Sequence, residues 1–499
     1  MADAKREIER KYESDESGLP DLTGVGGVAH VLDKGVVDLD ATYYDTADER
    51  LAAASLTLRR RTGGSDAGWH LKFPVTPGIR DEIRAPLADT VPDEIAALVR
   101  SRTRGTELIP VVRLRSLRDV RHLVDADGRL LAEASVDSVT ADRLNRAGGT
   151  AQWTEIEVEL ADGGDPAFLD QVEKRLRKAG IQPSKSPSKL ARALEQTGGP
   201  RTRTGKHAAP VTAGDHVLAY LRDQRDAILE YDPAVRRDVP DSVHKMRVAT
   251  RRMRSTFRSF RSVLDRGVTD PIGTELKWIA GELGADRDQE VLAERLTTAL
   301  DELPSTVVSG PAHARLSSWA SARHSHTRGH LLAVLDSARY LALLDTLDAL
   351  LADPPLRKKA AKKPTKVLSK AVRKDLGKVS RLITDALDLP PGHDRDLALH
   401  EARKKAKRTR YAAEAATPAL GGPARSLTKS MKSLTTLLGD HQDSVMARHT
   451  LRELAAVAHA AGESAFPYGV LYGREEQRAA AVEAELPGRW KEVRSGTSV

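Results

Sequence analysis

Glu7-Ile8-Glu9-Arg10-Lys11, close to the amino terminus, is the stretch whose reading decides the fold of the first half of this chain. In an extended strand successive side chains point to opposite faces, so Glu7, Glu9 and Lys11 share one face. A row of charge on one face is ordinarily the solvated side of an open sheet. Here the alternation recurs. Glu155, Glu157 and Glu159 share a face in Trp153–Leu160, Arg59 and Arg61 in Leu56–Arg61, and Arg113 and Arg115 in Val111–Arg115. Like charges this close repel, so water or opposite charge must lie between them. A closed barrel with a charged interior, holding metal and a polyanion, supplies both.

Length and charge set the frame for the rest. A chain of 499 residues exceeds one ordinary core and predicts two or three domains. It has no cysteine, which excludes a disulfide framework and thiolate chemistry and predicts a cytoplasmic protein. The start Met1-Ala2-Asp3-Ala4-Lys5 lacks the apolar run of a signal peptide. The most apolar region, Leu331–Leu351, is interrupted by Asp336, Arg339, Asp345 and Asp348 and does not read as a membrane span. The net charge of +8 is unevenly placed: residues 1–200 carry 29 Lys+Arg against 34 Asp+Glu, leaving 50 against 37 in residues 201–499. Only the second part reads as a polyanion-binding surface.

Residues 1–196 read as strands separated by turn signals, Gly63-Gly64, Pro77-Gly78, Asp127-Gly128, Gly148-Gly149 and Asp162-Gly163-Gly164. Helices are predicted over Pro92–Arg102 and Pro166–Ala179. The expected fold is an antiparallel β-barrel tunnel of the α+β kind. With the charged strands in this order, Glu7-x-Glu9-x-Lys11 resembles the CYTH domain of the triphosphate tunnel metalloenzymes. The likeness covers nearly all of residues 5–195, including Tyr44-Asp45-Thr46, Leu58-Arg59-Arg60-Arg61, Lys72, Glu155-x-Glu157-x-Glu159 and Lys185-Ser186-Pro187-Ser188-Lys189. It implies a tunnel that binds triphosphates with divalent metal and usually hydrolyses a phosphoanhydride, with Glu7, Glu9 and Lys11 as catalytic residues.

The chemistry of the residues assigns matching roles. A triphosphate needs several fixed cations, preferably arginine forks. The candidates are Arg59, Arg61, Lys72, Arg84, Arg113, Arg115, Lys185 and Lys189. Glu7, Glu9, Glu133, Asp137, Glu155, Glu157 and Glu159 offer hard oxygen ligands suited to Mg²⁺ or Mn²⁺. Arg60 is out of phase with its neighbours and is left outside.

Residues 197–214 read as a linker, and from 215 to 490 the pattern is helical, with Ala/Leu/Arg-rich runs. In Val243–Arg258, His244, Arg247, Arg251, Arg254 and Arg258 fall within roughly an 80° arc at about 100° per residue, and Met246, Met253, Phe257 and Phe260 lie nearly opposite. The spacing recurs: His244, Arg247, Arg251, Arg252 and Arg254 match His400, Arg403, Lys407, Arg408 and Arg410, with Lys404 on the second copy. Leu283-Gly284-Ala285-Asp286-Arg287-Asp288 is echoed by Leu438-Gly439-Asp440-His441-Gln442-Asp443. Two duplicated helical bundles are expected, at about 215–350 and 366–490, with His244 and His400 at equivalent helix starts and the two basic ridges facing one groove. These ridges resemble the CHAD domain, the conserved histidine α-helical domain, over roughly residues 211–490; the resemblance implies inorganic polyphosphate binding through the basic faces.

The function expected is metal-dependent hydrolysis of inorganic triphosphate or short polyphosphate in the tunnel, with polyphosphate held by the helices. Two alternatives stay open: a non-catalytic polyphosphate adaptor, and a tunnel acting on an organic triphosphate, as an adenylyl cyclase or thiamine triphosphatase does. Trp69 or Trp153 would then stack on the ring. Aromatic residues are only 4% of the chain, which disfavours nucleic acid as partner.

Overall fold

The structure, a computed structural model, describes residues 3–14, 18–145, 148–198 and 208–495, with the backbone but not the side chains of 285–290 and 322–327. It divides into two compact units, Met1–His207 and Ala208–Val499. Much of the expected linker, Gly199–His207, lies outside the described residues, as do the side chains of Asp286, Arg287 and Asp288.

In the first unit β1 (Asp3–Ser14), β2 (His30–Asp45), β3 (Thr57–Thr62), β4 (Gly68–Thr76), β5 (Ile79–Ala85), β6 (Ile109–Val124), β7 (Leu130–Arg143) and β8 (Thr150–Leu160) form a closed barrel. The order is β1-β5-β4-β3-β2-β6-β7-β8, and every neighbouring pair is antiparallel. The first strand closes it. Its amino-terminal part pairs with β5, placing Glu7 opposite Arg80, and its second part with β8, placing Lys11 opposite Glu157. Four helices accompany the strands: α1 (Arg50–Ala53), α2 (Asp93–Thr103), α3 (Ala167–Lys178) and α4 (Lys189–Thr197).

Alternation puts apolar residues of β3, β4 and β5 (Leu58, Leu71, Ile83) on the outer wall, where Ile95, Leu98 and Val99 of α2 cover them. Ile156 and Val158 of β8 are covered in the same way by Phe168, Leu169, Val172 and Leu176 of α3. The lumen is not uniform. Ala41, Tyr43, Val112, Leu114, Val139 and Ala141 form an apolar floor against Leu190, Ala193 and Leu194 of α4. The helix stops one end of the barrel, and its first residue, Lys189, enters the charged part. Ser188 caps it, its hydroxyl accepting from Ala191 N at 3.1 Å.

The second unit is helical: α5 (Ala213–Arg236), α6 (Ser242–Ser259), α7 (Arg266–Glu282), α8 (Gly284–Asp301), α9 (Ala312–Asp336), α10 (Ala338–Ala352), α11 (Pro364–Asp388), α12 (His393–Leu420), α13 (Gly422–Ala460) and α14 (Phe466–Ser495). Thr212 and Asp215 form a capping box at the start of α5. Among the described residues no helix is long and apolar enough to cross a membrane. The duplicated copies share their cores. One cluster joins Met246, Met253, Phe257 and Leu276 to Leu368, Val379, Ala406 and Leu434, and another joins Leu296, Leu300 and Leu316 to Leu451, Leu454 and Leu471.

Two expectations are corrected here. His244 is the third residue of α6, whereas His400 is the eighth of α12, so the histidines do not stand at equivalent helix starts. The repeated Leu-Gly marks the junction of α7 and α8 in the first copy but lies inside the continuous α13 in the second. What the copies do share is a close approach. A Cβ at Gly284 would lie 2.7 Å from Cζ of Arg247, and one at Gly439 would lie 3.2 Å from Nη2 of Arg403. Glycine recurs because an arginine guanidinium passes over the helix at that point in both copies.

Because α4 both stops the lumen and carries Lys189, its apolar contacts bear on the site. Leu194→Ala, at a position 1% exposed, is expected to cost about 2–5 kcal/mol, read as an earlier unfolding transition of the barrel in urea; an unshifted midpoint would remove α4 from the barrel core.

Candidate functional site

Above the apolar floor the inward faces converge on a chamber of about 110 Å³, room for a few waters. It is lined by Glu7, Glu9 and Lys11 of β1, Tyr43 of β2, Thr57, Arg59 and Arg61 of β3, Asp66, Lys72 of β4, Arg80 and Arg84 of β5, Arg118 of β6, Glu133 of β7, Glu157 and Glu159 of β8, and Ser188 and Lys189. The charges are paired. Lys72 Nζ donates to Glu7 at 2.5 Å and lies 3.5 Å from Glu82. Lys11 contacts Glu157 and is 3.2 Å from Glu9, and Arg61 contacts Asp66. Arg118 forks onto Asp137 at 2.7 Å through both nitrogens and reaches Glu157 at 2.6 Å. Lys189 Nζ lies 2.8 Å from Asp137, 2.8 Å from Glu155 and 2.6 Å from Glu157.

Protonation follows from this lattice. Burial lifts Glu7 above the usual carboxylate range, more than the Lys72 ammonium lowers it. Burial also acts to raise Glu9 and Glu157. For Glu9 the ammonium of Lys11 leads the cations that outweigh it, and Glu157 is held well below the ordinary range by Lys11, Lys189 and Arg118. Burial, with Arg59 and Arg118 nearby, pulls Arg61 down to about 9; the Asp66 carboxylate in contact with it keeps the guanidinium charged.

Not every candidate comes to the chamber. Arg113 and Arg115 point outward, Arg113 onto Asp40 at 2.5 Å and Arg115 onto Asp142 at 2.9 Å. In β6 the inward positions are the even-numbered ones, Val112 and Leu114 in the floor and Arg118 in the chamber. Lys185 is exposed in the connection before α4. Asp137 and Glu155 lie behind the lining, both buried, Glu155 accepting from Trp153 Nε1 at 2.6 Å. Glu133 lines the chamber and lies 3.3 Å from His122 Nε2. Arg60 donates to the Ala88 carbonyl at 3.0 Å. Sequence reasoning missed Arg80, Arg118 and Glu82; for Arg80 and Glu82 the signal was their phase with Arg84, and for Arg118 the apolar alternation before it. Asp45 of Tyr44-Asp45-Thr46 is structural: buried, it accepts from the backbone N–H of Thr46, Leu51 and Ala52 at 2.7–2.8 Å and so holds α1.

The residues fit a divalent cation. Asp137, Glu155 and Glu157 present carboxylate oxygens within 4.8 Å of one another, with the Lys189 ammonium 2.6–2.8 Å from all three in the place a cation would take. Glu7, Glu9, Glu157 and Glu159 offer further hard oxygens to the chamber itself.

In the helical unit the two basic ridges come together where α6 packs on α12. Arg251 Nε donates to Tyr411 Oη at 3.2 Å, and Arg252 Nε to Glu414 at 3.1 Å. Glu414 also accepts from Arg410 at 2.9 Å and from Tyr220 Oη at 3.1 Å. Asp375, buried, accepts from Arg408 and from Ser259 Oγ, both at 2.6 Å. Lys404 pairs with Glu401. Arg252, Arg408 and Arg410 are therefore tied into the fold. Arg254, Arg258 and Lys407 have no carboxylate in ion-pair range among the described residues. Burial lowers Lys407 to about 7, with Arg403 of its own helix and Arg251 and Arg247 of α6 adding to the effect against an opposing Asp443. Arg254 is lowered by burial and then by Arg258 and Arg251. His244 is exposed. His400 is partly buried, and burial lowers it against a hydrogen bond with Gln442.

Comparison with known proteins agrees with this division. The CYTH domain model matches residues 5–194 and the CHAD domain model residues 219–452. The uncharacterized protein Rv2226 of Mycobacterium tuberculosis (strain H37Rv) is 38% identical over 96% of this chain and 94% of its own. Among solved structures, PptA from Streptomyces chartreusis superposes with a TM-score of 0.48 at 24% identity, covering 56% of this chain and 100% of its own. The CHAD domain from the plant Ricinus communis gives 0.45 at 24% identity, covering 58% and 97%. CYTH domains belong to the metal-dependent triphosphate tunnel enzymes, and the two families bind triphosphates or polyphosphate-like substrates. An inward-charged eight-stranded barrel followed by duplicated basic helices, matched in that order by both models and by a full-length relative, places this chain in the family that joins a CYTH domain to a CHAD domain.

Proposed function

We propose that the barrel is a metal-dependent inorganic triphosphatase, acting on triphosphate or short polyphosphate, and that the helical unit binds polyphosphate along the joined ridges of α6 and α12. The observation that carries the first part is the chamber lining: eight cationic side chains set among six carboxylates, with Tyr43 as the one aromatic ring among the described lining residues. A base or thiazolium ring needs an apolar or aromatic platform. Trp69 is fully buried in the outer-wall core with its Nε1 on the Ala88 carbonyl, and Trp153 packs in the floor.

The ion pairs suggest how substrate enters. The phosphate oxygens take over Arg61, Lys72, Arg84 and Arg118 from the carboxylates they contact and engage Arg59, which rests on Tyr43 Oη, while Glu7, Glu9, Glu157 and Glu159 would hold Mg²⁺ or Mn²⁺. Bound metal supplies charge neutralisation on the phosphate chain. The protein's own part is to hold the chain in line and to keep the surrounding charges fixed, so little reorganisation accompanies the reaction. Lys189 neutralises the buried Asp137, Glu155 and Glu157 group from below.

Parallel assays against triphosphate, ATP and thiamine triphosphate test this reading. Triphosphate is expected to be hydrolysed fastest, and only with Mg²⁺ or Mn²⁺; full activity in excess chelator overturns the mechanism. Glu9→Gln and Glu157→Gln should lower turnover about 10²-fold. Arg118→Ala should raise KM, whereas Arg113→Ala, on the outer wall, should leave both kinetic constants unchanged.

A titration tests the helical site. Lys407 must be charged to hold an anion, and in the free protein it loses its proton at about 7. Below that pH it is already an ammonium, and binding takes up no proton there. Above it, binding must first protonate the amine, so affinity for long-chain polyphosphate should fall with rising pH, by up to about tenfold per pH unit. Lys407→Arg should flatten that fall. At pH 6, replacing Arg251, Arg254 and Lys407 with Ala should reduce the slope of log affinity against log salt by roughly three units, on a scale of about 0.9 per neutralised phosphate. A pH-independent affinity, or an unchanged salt slope, would move the binding face elsewhere.

A further inference from the structure

Between α12, α13 and α14 the helical unit holds a buried imidazole between two carboxylates. His441 of α13 is 1% exposed. Its Nε2 lies 3.3 Å from Oδ1 of Asp396 on α12 and 3.2 Å from Oε1 of Glu483 on α14. The geometry points to a second cation site: His441, Asp396 and Glu483 ligate one divalent transition-metal ion of the zinc type, independently of any metal in the barrel.

Three features carry this. The first is spacing. A four-coordinate ion with bonds of about 2.0–2.2 Å sets its ligand atoms roughly 3.3–3.6 Å apart, and both nitrogen–oxygen separations stand at the edge of that range. All three ligand atoms lie within 4.8 Å of one another, so small side-chain shifts complete the set.

The second is the way each carboxylate divides its oxygens. The inner oxygens, Oδ1 of Asp396 and Oε1 of Glu483, face the imidazole. The outer ones are held by arginines: Arg448 Nη2 donates to Oδ2 of Asp396 at 3.0 Å, and Arg395 Nη1 to Oε2 of Glu483 at 2.7 Å. Arg395 is itself fixed by the carbonyls of Ala386 at 3.2 Å and Leu387 at 2.9 Å. Hydrogen bonds to the far oxygens of ligating carboxylates are the outer-shell support that orients metal ligands.

The third is access. A cavity of about 520 Å³ opens onto the two carboxylate residues, Asp396 and Glu483, with Arg395, Arg448 and Ala480, and His441 lies buried behind them. Three protein ligands, two of them reached from a cavity, leave a fourth position for an exchangeable ligand, as in catalytic zinc sites. The two arginines already balance the two carboxylates, so an anionic fourth ligand, hydroxide or a phosphate oxygen, would offset the charge of the ion. One nitrogen and two carboxylate oxygens suit zinc, cobalt or manganese better than magnesium, which prefers oxygen alone and keeps its waters.

Cobalt reports on this site in the full-length chain. Four-coordinate Co²⁺ with a nitrogen ligand absorbs strongly in the visible, whereas six-coordinate Co²⁺ on carboxylates and water absorbs weakly, so occupancy of the barrel does not obscure the signal. Titrating metal-stripped protein with Co²⁺ should develop the strong band with one equivalent. One equivalent of Zn²⁺ should remove it, and a large excess of Mg²⁺ should not. His441→Gln should abolish the band, and Zn²⁺ should raise Tm in the wild type but not in the variant. If circular dichroism shows that His441→Gln does not fold, Glu483→Gln makes the same comparison, and the wild-type titration stands by itself. Only weak six-coordinate absorption in the wild type, or a band that survives in a folded variant, overturns the site and leaves His441 as the centre of an ion-pair cluster.

Discussion

Charge compensation inside a closed barrel is the constraint on which the first unit depends. Glu7, Glu9, Asp137, Glu155 and Glu157 are at most 9% exposed, and carboxylates this buried persist as anions only when opposite charge is within reach. Lys11, Lys72, Arg118 and Lys189 supply it, each contacting at least two acids. Such a lattice is poor stabilisation by itself, because desolvation consumes most of the Coulombic gain. The apolar contacts under α2, α3 and α4 make the barrel stable; the lattice keeps its buried acids charged.

The helical unit answers the same constraint differently. Around Glu414 and Asp375 the arginines of the ridges are neutralised and become part of the packing between α6, α11 and α12. At Lys407, Arg254 and Arg258 no carboxylate among the described residues pairs with the positive charge, and the depressed proton affinities of Lys407 and Arg254 register burial first and then the repulsion. A surface that repels its own charges gains when a polyanion arrives. One ridge from each copy comes to a common place, with Gly284 and Gly439 giving Arg247 and Arg403 room to lie over the neighbouring helix.

Much of this was legible in the chain itself. The two-residue period of Glu7, Glu9 and Lys11 and of Glu155, Glu157 and Glu159 determined strands with a charged face, and the echoed His-x-x-Arg and Leu-Gly spacing determined a duplicated helical half, because periodicity is a local property of the backbone. Tertiary structure decided the rest. Which face of a strand turns inward is set by its packing: with Val112 and Leu114 in the apolar floor against α4, the even positions of β6 face in, so Arg118 enters the chamber and Arg113 and Arg115 turn outward. That Lys189 neutralises the buried acids, that Arg252 and Arg410 share Glu414, and that His441 meets Asp396 and Glu483 are likewise pairings between residues 32 to 162 positions apart, save the single-turn contact of Arg410 with Glu414. A charge's partner is set by distance through space, which no spacing along the chain encodes.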